Sequence, residues 1–317
     1  MENTASKLRI IYGDWTLGVY NGDTHYILSY AKCGLESLTK NGKEWVYRNP
    51  RPTFWRAVTD NDRGSNFGFK SGMWMAADLY MNCIKTEVVI DGENLGLPTS
   101  PFTNKFTNHE YADKASVIYT YETCTNPSTT VNVCYTVTAN KGLKITMKYH
   151  GKAGLPELPL LGLRFIMPTK AVGFTYEGLS GETYPDRMAG GIPGVYNIEG
   201  LPVTPYIRPQ DCGVHMDTKW LEITRNSTLN NADTSDEEFS LRFEKNDKNF
   251  AFSCLPYTAH ELESATHMED LPPERRTVLT MLAKVRGVGG INSWGADVEE
   301  HCRISSEKDY EFSFTIK

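Results

Sequence analysis

The sequence predicts an all-β protein, on three observations. Apolar and polar residues alternate with a period of two, turn-forming residues separate the alternating stretches, and helical periodicity is scarce. Val131, Val133, Tyr135 and Val137 alternate with Thr130, Asn132, Cys134 and Thr136. Leu143, Ile145, Met147 and Tyr149 alternate with Lys144, Thr146 and Lys148, and Tyr310, Phe312, Phe314 and Ile316 share one face of the last stretch. Such alternation marks antiparallel strands with one buried and one wet side. Similar strands are expected around 8–20, 25–31, 115–123, 161–167, 214–224, 239–254 and 277–285, with turns at Asn21-Gly22-Asp23, Asn41-Gly42, Asp91-Gly92 and Asn140-Lys141-Gly142. Two large packed sheets in one continuous domain over 1–317 account for so many strands. A helix is expected from Lys70 to Ile84, where Trp74, Ala77, Met81 and Ile84 recur at helical spacing, and a shorter one from Glu261 to Met268. The Pro- and Gly-rich stretch 185–213 reads as a long ordered loop.

Composition narrows the function. With 317 residues the chain can bury a substantial core, and its net charge of -6 gives no basic footprint for nucleic acid or anionic lipid. No run of eighteen apolar residues occurs, and MENTASKLRI lacks the apolar centre of a signal peptide, so a cytoplasmic protein without a membrane or nucleic-acid partner is expected. Seven scattered cysteines with no CxxC pair signal neither a disulfide framework nor a zinc knuckle.

Common chemical motifs fail. Gly287-Val288-Gly289-Gly290-Ile291-Asn292 lacks the last glycine of a dinucleotide fingerprint, and Ala296 stands where a phosphate loop needs Lys. His109-Glu110 lacks the second histidine of a zinc site, and no nucleophile elbow surrounds Ser180. A glycosidase pair of carboxylates would have to come from Asp60, Asp62, Glu177, Glu182, Asp186, Glu299 and Glu300, and the sequence selects no pair. His150, His215 and His260 are conceivable acids for an aldose epimerase, again with no pattern that picks one. Three segments are over-specified for scaffold: FWRAVTDNDRG (54–64), YEGLSGETYPDR (176–187) and GVGGINSWGADV (287–298). The first suits a rigid or site-forming loop, the second an ion-paired corner, and the third places one tryptophan, Trp294, among glycines.

In this order DNDRG, GETYPDR and GVGGINSWG resemble the C-terminal domain of the large β-galactosidases of glycoside hydrolase family 2, over about residues 8–316. A chain that begins near the start of that domain resembles the small subunit of β-galactosidases split into two polypeptides. The resemblance implies a large antiparallel supersandwich like that of galactose mutarotases, with no catalytic residue in this chain. It implies a large-subunit partner that carries two catalytic glutamates and magnesium, and possibly sodium, and a β-galactoside substrate such as lactose. It assigns Trp294 to the sugar site and places Asp60, Asn61, Asp62 and Gly64 next to it, in a 60–72 segment that its glycines and serines mark as a mobile loop. Asn292 and Ser293 are expected to support the tryptophan. Arg63 departs from the hydrophobic residue common in the family at that point. The same sandwich would also suit a self-sufficient aldose epimerase or a carbohydrate-binding module without a part in catalysis.

Overall fold

A computed structural model describes residues 7–98, 100–292 and 294–317. Among these, the strands form three sheets rather than the two expected, all with antiparallel neighbours. The largest has ten strands, in the order Pro193–Glu199, Gly173–Leu179, Trp220–Arg225, Phe239–Lys245, Tyr310–Ile316, Gly142–Tyr149, Thr130–Thr138, Lys114–Glu122, Asn82–Ile90 and Glu93–Gly96. Its strands alternate as the sequence requires: along Thr130–Thr138 every second side chain is buried. Two smaller sheets share its buried face. A six-stranded sheet, built mainly from residues 8–44, touches it where the hydroxyls of Tyr119 and Tyr121 donate to the carbonyls of Ser29 and Cys33 at 3.0 and 2.7 Å.

The five-stranded sheet runs Val214–Thr218, Phe250–Leu255, Thr277–Val285, Leu160–Met167 and Arg48–Thr53. One face meets the ten-stranded sheet through Phe165, whose ring lies 5.8 Å from Phe243 and 6.1 Å from Phe314. Its other face carries Leu160, Val214, Ala251, Leu282 and Val285, which pack with Tyr184 of the second sequence motif. Burial on both faces explains the near-continuous apolar run at 277–285, where strict alternation is lost. The hairpin turns form where expected: Asn41-Gly42 and Asp91-Gly92 both take positive φ, the conformation of a tight turn matched to strand twist.

Several helical and loop expectations need correction. No helix spans 70–84: α1 (Asp60–Gly64) and α2 (Phe67–Lys70) precede a single turn at Gly72–Trp74, and the strand Asn82–Ile90 then begins. The helical spacing of Trp74, Ala77 and Met81 reflects burial that tertiary contacts impose on a series of turns. Trp74 packs on Phe54 and donates its indole N–H to the carbonyl of Pro156 at 3.0 Å, while Ile84 is left exposed on the strand. The segment expected as a loop at 60–72 is therefore largely helical, and α1 opens on a capping box of Thr59 and Asp62. The helix expected at 261–268 is α3 (Ala259–Ser264), which starts earlier because Thr258 caps it with Glu261 at the third position. Within 185–213 lies the strand Pro193–Glu199, an edge strand with one exposed face and one half-buried face that carries Tyr196 and Ile198 against the core; Val195 on the exposed face and Gly194 on the inner one spoil the apolar alternation.

Phe165 bridges the two sheets, so Phe165→Ala is expected to lose about 3–5 kcal/mol of stability in urea unfolding. A loss below about 1 kcal/mol would mean that the sheets do not depend on this contact.

Candidate functional site

The strand Thr277–Val285 runs out of the five-stranded sheet into the glycine-rich stretch, and the first residue after the strand anchors that stretch. Arg286 is 1 % exposed, and its backbone N–H donates to the carbonyl of Pro159 at 3.0 Å. Its guanidinium lies over the ring of Phe67, 3.7 Å from the centroid. It is ion-paired with Asp297, near the far end of the same loop, and sits 3.6 Å from Asp62. Asp62 in turn takes two hydrogen bonds from buried Arg56, at 2.6 and 3.1 Å, and Arg56 also donates to the carbonyl of Gly287 at 3.1 Å. Burying two guanidinium groups is unfavourable unless each is paired, and the two carboxylates supply that pairing.

The second motif reaches the same loop. Asp186 accepts from the amides of Val288 and Gly289 at 3.1 and 2.7 Å, and Arg187 donates to the carbonyl of Gly289. From the first motif, the side-chain amide of Asn61 donates to the carbonyl of Val288 at 3.0 Å. Gly295 completes the contact from the other end: at φ +74° it sits so close to α1 that a β-carbon would lie 2.6 Å from the carbonyl oxygen of Gly64. All three over-specified segments, far apart in sequence, are thus joined in one constellation. The corner at 184–187 holds the loop through backbone hydrogen bonds, where an internal ion pair was expected.

Trp294 lies on the outer side of that constellation with 91 % of its surface exposed. The side-chain oxygen of Asn292 accepts from the amides of Trp294 and Ala296 at 2.9 and 3.2 Å. Ser293 lies outside the described residues. Asp60, Asn61 and Gly64 sit on α1 beside the loop, whereas Asp62 is buried beneath it. Arg63 pairs with Asp60 at 2.7 Å on α1 itself.

Most of the candidate carboxylates are engaged in structural contacts. Asp62 and Asp186 are committed to the arginines and amides just described. Glu182 accepts from Thr204 and the amide of Gly213 at 2.8 Å each, and Glu177 accepts from Lys219 and Trp220 at 2.6 and 2.8 Å on the ten-stranded sheet. Glu299 lies 3.4 Å from His301 on the surface, and Glu300 opens a short turn. The histidines are equally dispersed. Burial against Phe174, Tyr176 and Phe252 pushes the pKa of His215 down to about 4, which removes the proton that an acid at neutral pH needs. His150 bonds Asn132 at 2.6 Å, and His260 lies 3.6 Å from Asp78.

The sequence profile described as "Beta galactosidase small chain" matches residues 20–316. The chain belongs to the β-galactosidase small-chain family. A β-galactosidase small subunit from Latilactobacillus sakei is 55% identical over 316 residues, 100% of this chain and 99% of that protein. Longer relatives contain the same module: a β-galactosidase from Streptococcus thermophilus is 30% identical over 98% of this chain but only 28% of its own length. For one from Halalkalibacterium halodurans the values are 30%, 99% and 29%. Among solved structures, a galactose mutarotase-like protein from Lactobacillus casei aligns with a TM-score of 0.41 at 10% identity, covering 95% of this chain and 99% of that one. In this structure the three sequence motifs are gathered at one place, around the exposed tryptophan.

Arg56, Arg286, Phe67 and Asp297, which no motif in the sequence singles out, carry the support of the loop. The available signal was positional: Arg56 and Arg286 each stand at the edge of an over-specified segment. Also unassigned was Asp211, which accepts from the hydroxyl of Tyr184 at 2.8 Å; burial pushes its pKa up to about 6, against the lowering influence of Arg56.

Asp62→Asn leaves two buried guanidinium groups without their shared carboxylate, so a loss of about 3–5 kcal/mol is expected in chemical denaturation. A loss within about 0.5 kcal/mol would show that the arginines find other partners. For Asp211 the folded state holds a proton more tightly than the unfolded chain, so its contribution to stability is present at low pH and is lost as pH rises through about 6. Asp211→Asn stays neutral throughout, and its stability relative to wild type is expected to rise by about 1–2 kcal/mol between pH 4 and 7. A flat difference across that range in pH-dependent unfolding would contradict the assignment.

Proposed function

We propose that this chain docks on a separate, large β-galactosidase polypeptide and completes its sugar site with Trp294. The observation that carries the reading is a nearly fully exposed indole on a loop held by buried ion pairs and by hydrogen bonds from two distant segments. A folded chain gains nothing by presenting so large an apolar face to water at so well braced a position, unless a ligand or partner covers it. A pyranose has an apolar C–H face that suits a flat indole. Covering about 100 Å² at about 25 cal/mol/Å² gives roughly 2 kcal/mol before ordering terms are subtracted. That magnitude tunes affinity for the leaving group or acceptor and leaves bond cleavage to other groups.

In this reading the large chain supplies the nucleophile and the acid/base of a retaining double displacement on terminal β-galactosides such as lactose, together with the magnesium and any sodium. The engagement of Asp62, Asp186, Glu177 and Glu182 in structural contacts supports that division of labour. So does the length of the single-chain relatives, of which this chain spans little more than a quarter. A cytoplasmic location and the pairing of one small with one large chain belong to the same proposal. Asp60, Asn61, Gly64 and Asn292 act here by holding the loop and the adjoining surface.

The isolated chain is expected to show negligible hydrolysis of lactose, and activity is expected to appear on mixing it with the large polypeptide. In the mixed enzyme Trp294→Ala is expected to raise the KM for lactose about tenfold while the thermal midpoint of the small chain stays within about 2 °C. Unchanged kinetics would remove Trp294 from the sugar site, and full activity of the large chain alone would remove the need for docking.

A further inference from the structure

A second feature lies at the opposite end of α1 from Trp294. There a cavity of about 570 Å³ opens between the first two motifs and the 204–211 segment, lined by Asp60, Asn61, Tyr206, Gln210, Asp211 and Val288 among others. Its walls are fixed by contacts already described: Glu182 holds Thr204 and Gly213, Tyr184 holds Asp211, and Asn61 holds Val288. Gln210 is only 5% exposed and accepts from the amide of Asp60 at 2.8 Å through its side-chain oxygen.

What distinguishes this cavity is hydrogen-bonding capacity left unused. Among the described residues, the side-chain NH₂ of buried Gln210 donates to no partner and the hydroxyl of Tyr206 makes no hydrogen bond. The second oxygen of Asp211, the side-chain oxygen of Asn61 and the second oxygen of Asp60 likewise accept from no side chain. These groups open onto the cavity and are not sealed inside the protein, so a ligand that displaces water from it can take up their donors and acceptors in a preformed arrangement. The chemistry of the lining selects the ligand class. Asp60, Glu182 and Asp211 outnumber the one guanidinium, Arg187, whose nitrogens bond Gly289 and the carbonyl of Asp186. An anion is therefore disfavoured, and a neutral molecule with several hydroxyls matches the mixture of donors and acceptors.

Position connects the cavity to the tryptophan. Asp60 and Asn61 line it, and Gly64 at the other end of α1 abuts Gly295 next to Trp294. The five residues of α1 span roughly 7 Å at the rise of a helix, which puts the two features within reach of adjacent rings of one saccharide. We infer that this cavity is a second saccharide subsite, one that takes a neutral sugar unit of an extended leaving group or acceptor beyond the unit carried by Trp294. The inference rests on the proposed role of Trp294 for its direction, and on Tyr206 and Gln210 for its chemistry.

The test uses the assembled two-chain enzyme and compares glucose with cellobiose as acceptors in galactosyl transfer, reading the acceptor concentration that gives half-maximal transfer. Wild type is expected to need several-fold less cellobiose than glucose. Tyr206→Phe removes one hydroxyl and is expected to raise the cellobiose value about fivefold, with a smaller effect on glucose. Tyr206→Ala, with thermal unfolding as a check on folding, should cancel the preference for cellobiose. Trp294→Ala should raise both values together. No preference for cellobiose in wild type, or an equal shift of both acceptors in the Tyr206 variants, would overturn the subsite. A Tyr206-dependent preference that survives alongside an inert Trp294→Ala would uphold the subsite and overturn the tryptophan platform instead.

Discussion

Two buried arginines impose the constraint on which the site depends. Arg56 and Arg286 are each only 1% exposed, and in so dry a place a guanidinium is tolerable only if carboxylates reach it with good geometry. Asp62 serves both, Asp297 serves Arg286, and Glu157 and Arg303 continue the network towards solvent. Each of these residues belongs to a different segment or to a different end of the same one. Satisfying the charges therefore fixes where α1, the loop after the strand Thr277–Val285 and the connection at 157–159 lie relative to one another.

Such a network explains how a glycine-rich stretch can present a tryptophan without losing its position. The glycines provide backbone conformations and close approach, as at Gly295 against Gly64, while order comes from Asp186, Arg187, Asn61 and Asn292 bonding the loop's amides and carbonyls. The five-stranded sheet supplies the rigid base. Tyr184 packs on its outer face and points its hydroxyl towards Asp211, so the same motif that grips the Trp loop also shapes the neighbouring cavity. A sandwich buried on both faces of its inner sheet is a stiff platform, and binding residues on loops work best when the scaffold beneath them is stiff.

The division between the exposed and the buried carries the functional meaning. Asp62 and Asp186, two of the candidate carboxylates, are used here to hold guanidinium and backbone groups, and the large apolar side chain of Trp294 near them faces outward. That arrangement is what the proposed role requires, in which this chain shapes a site and bond-breaking is left to another polypeptide; the β-galactosidases from Streptococcus thermophilus and Halalkalibacterium halodurans match this chain over little more than a quarter of their own length.

Much of this was legible in the sequence, and the rest was not for identifiable reasons. Period-two alternation placed the strands at 130–138, 142–149 and 310–316, because each has one wet face, and Asn140-Lys141-Gly142 marked the turn between the first two. The edge strand Pro193–Glu199 left no clear alternation because an apolar Val195 sits on its exposed face and a glycine, Gly194, on its half-buried one, and the spacing of Trp74, Ala77 and Met81 suggested a helix where packing on Phe54 and Tyr149 holds only turns. The capping pair Thr59 and Asp62 was present in the sequence and would have placed α1. By itself the sequence determined an all-β chain with three unusual segments and one conspicuous tryptophan, since alternation and turn chemistry are local properties of neighbouring residues. Only the tertiary structure decided that the three segments meet, that Asp62 turns inward and Trp294 outward, because pairing buried charges is a contest among groups more than two hundred residues apart.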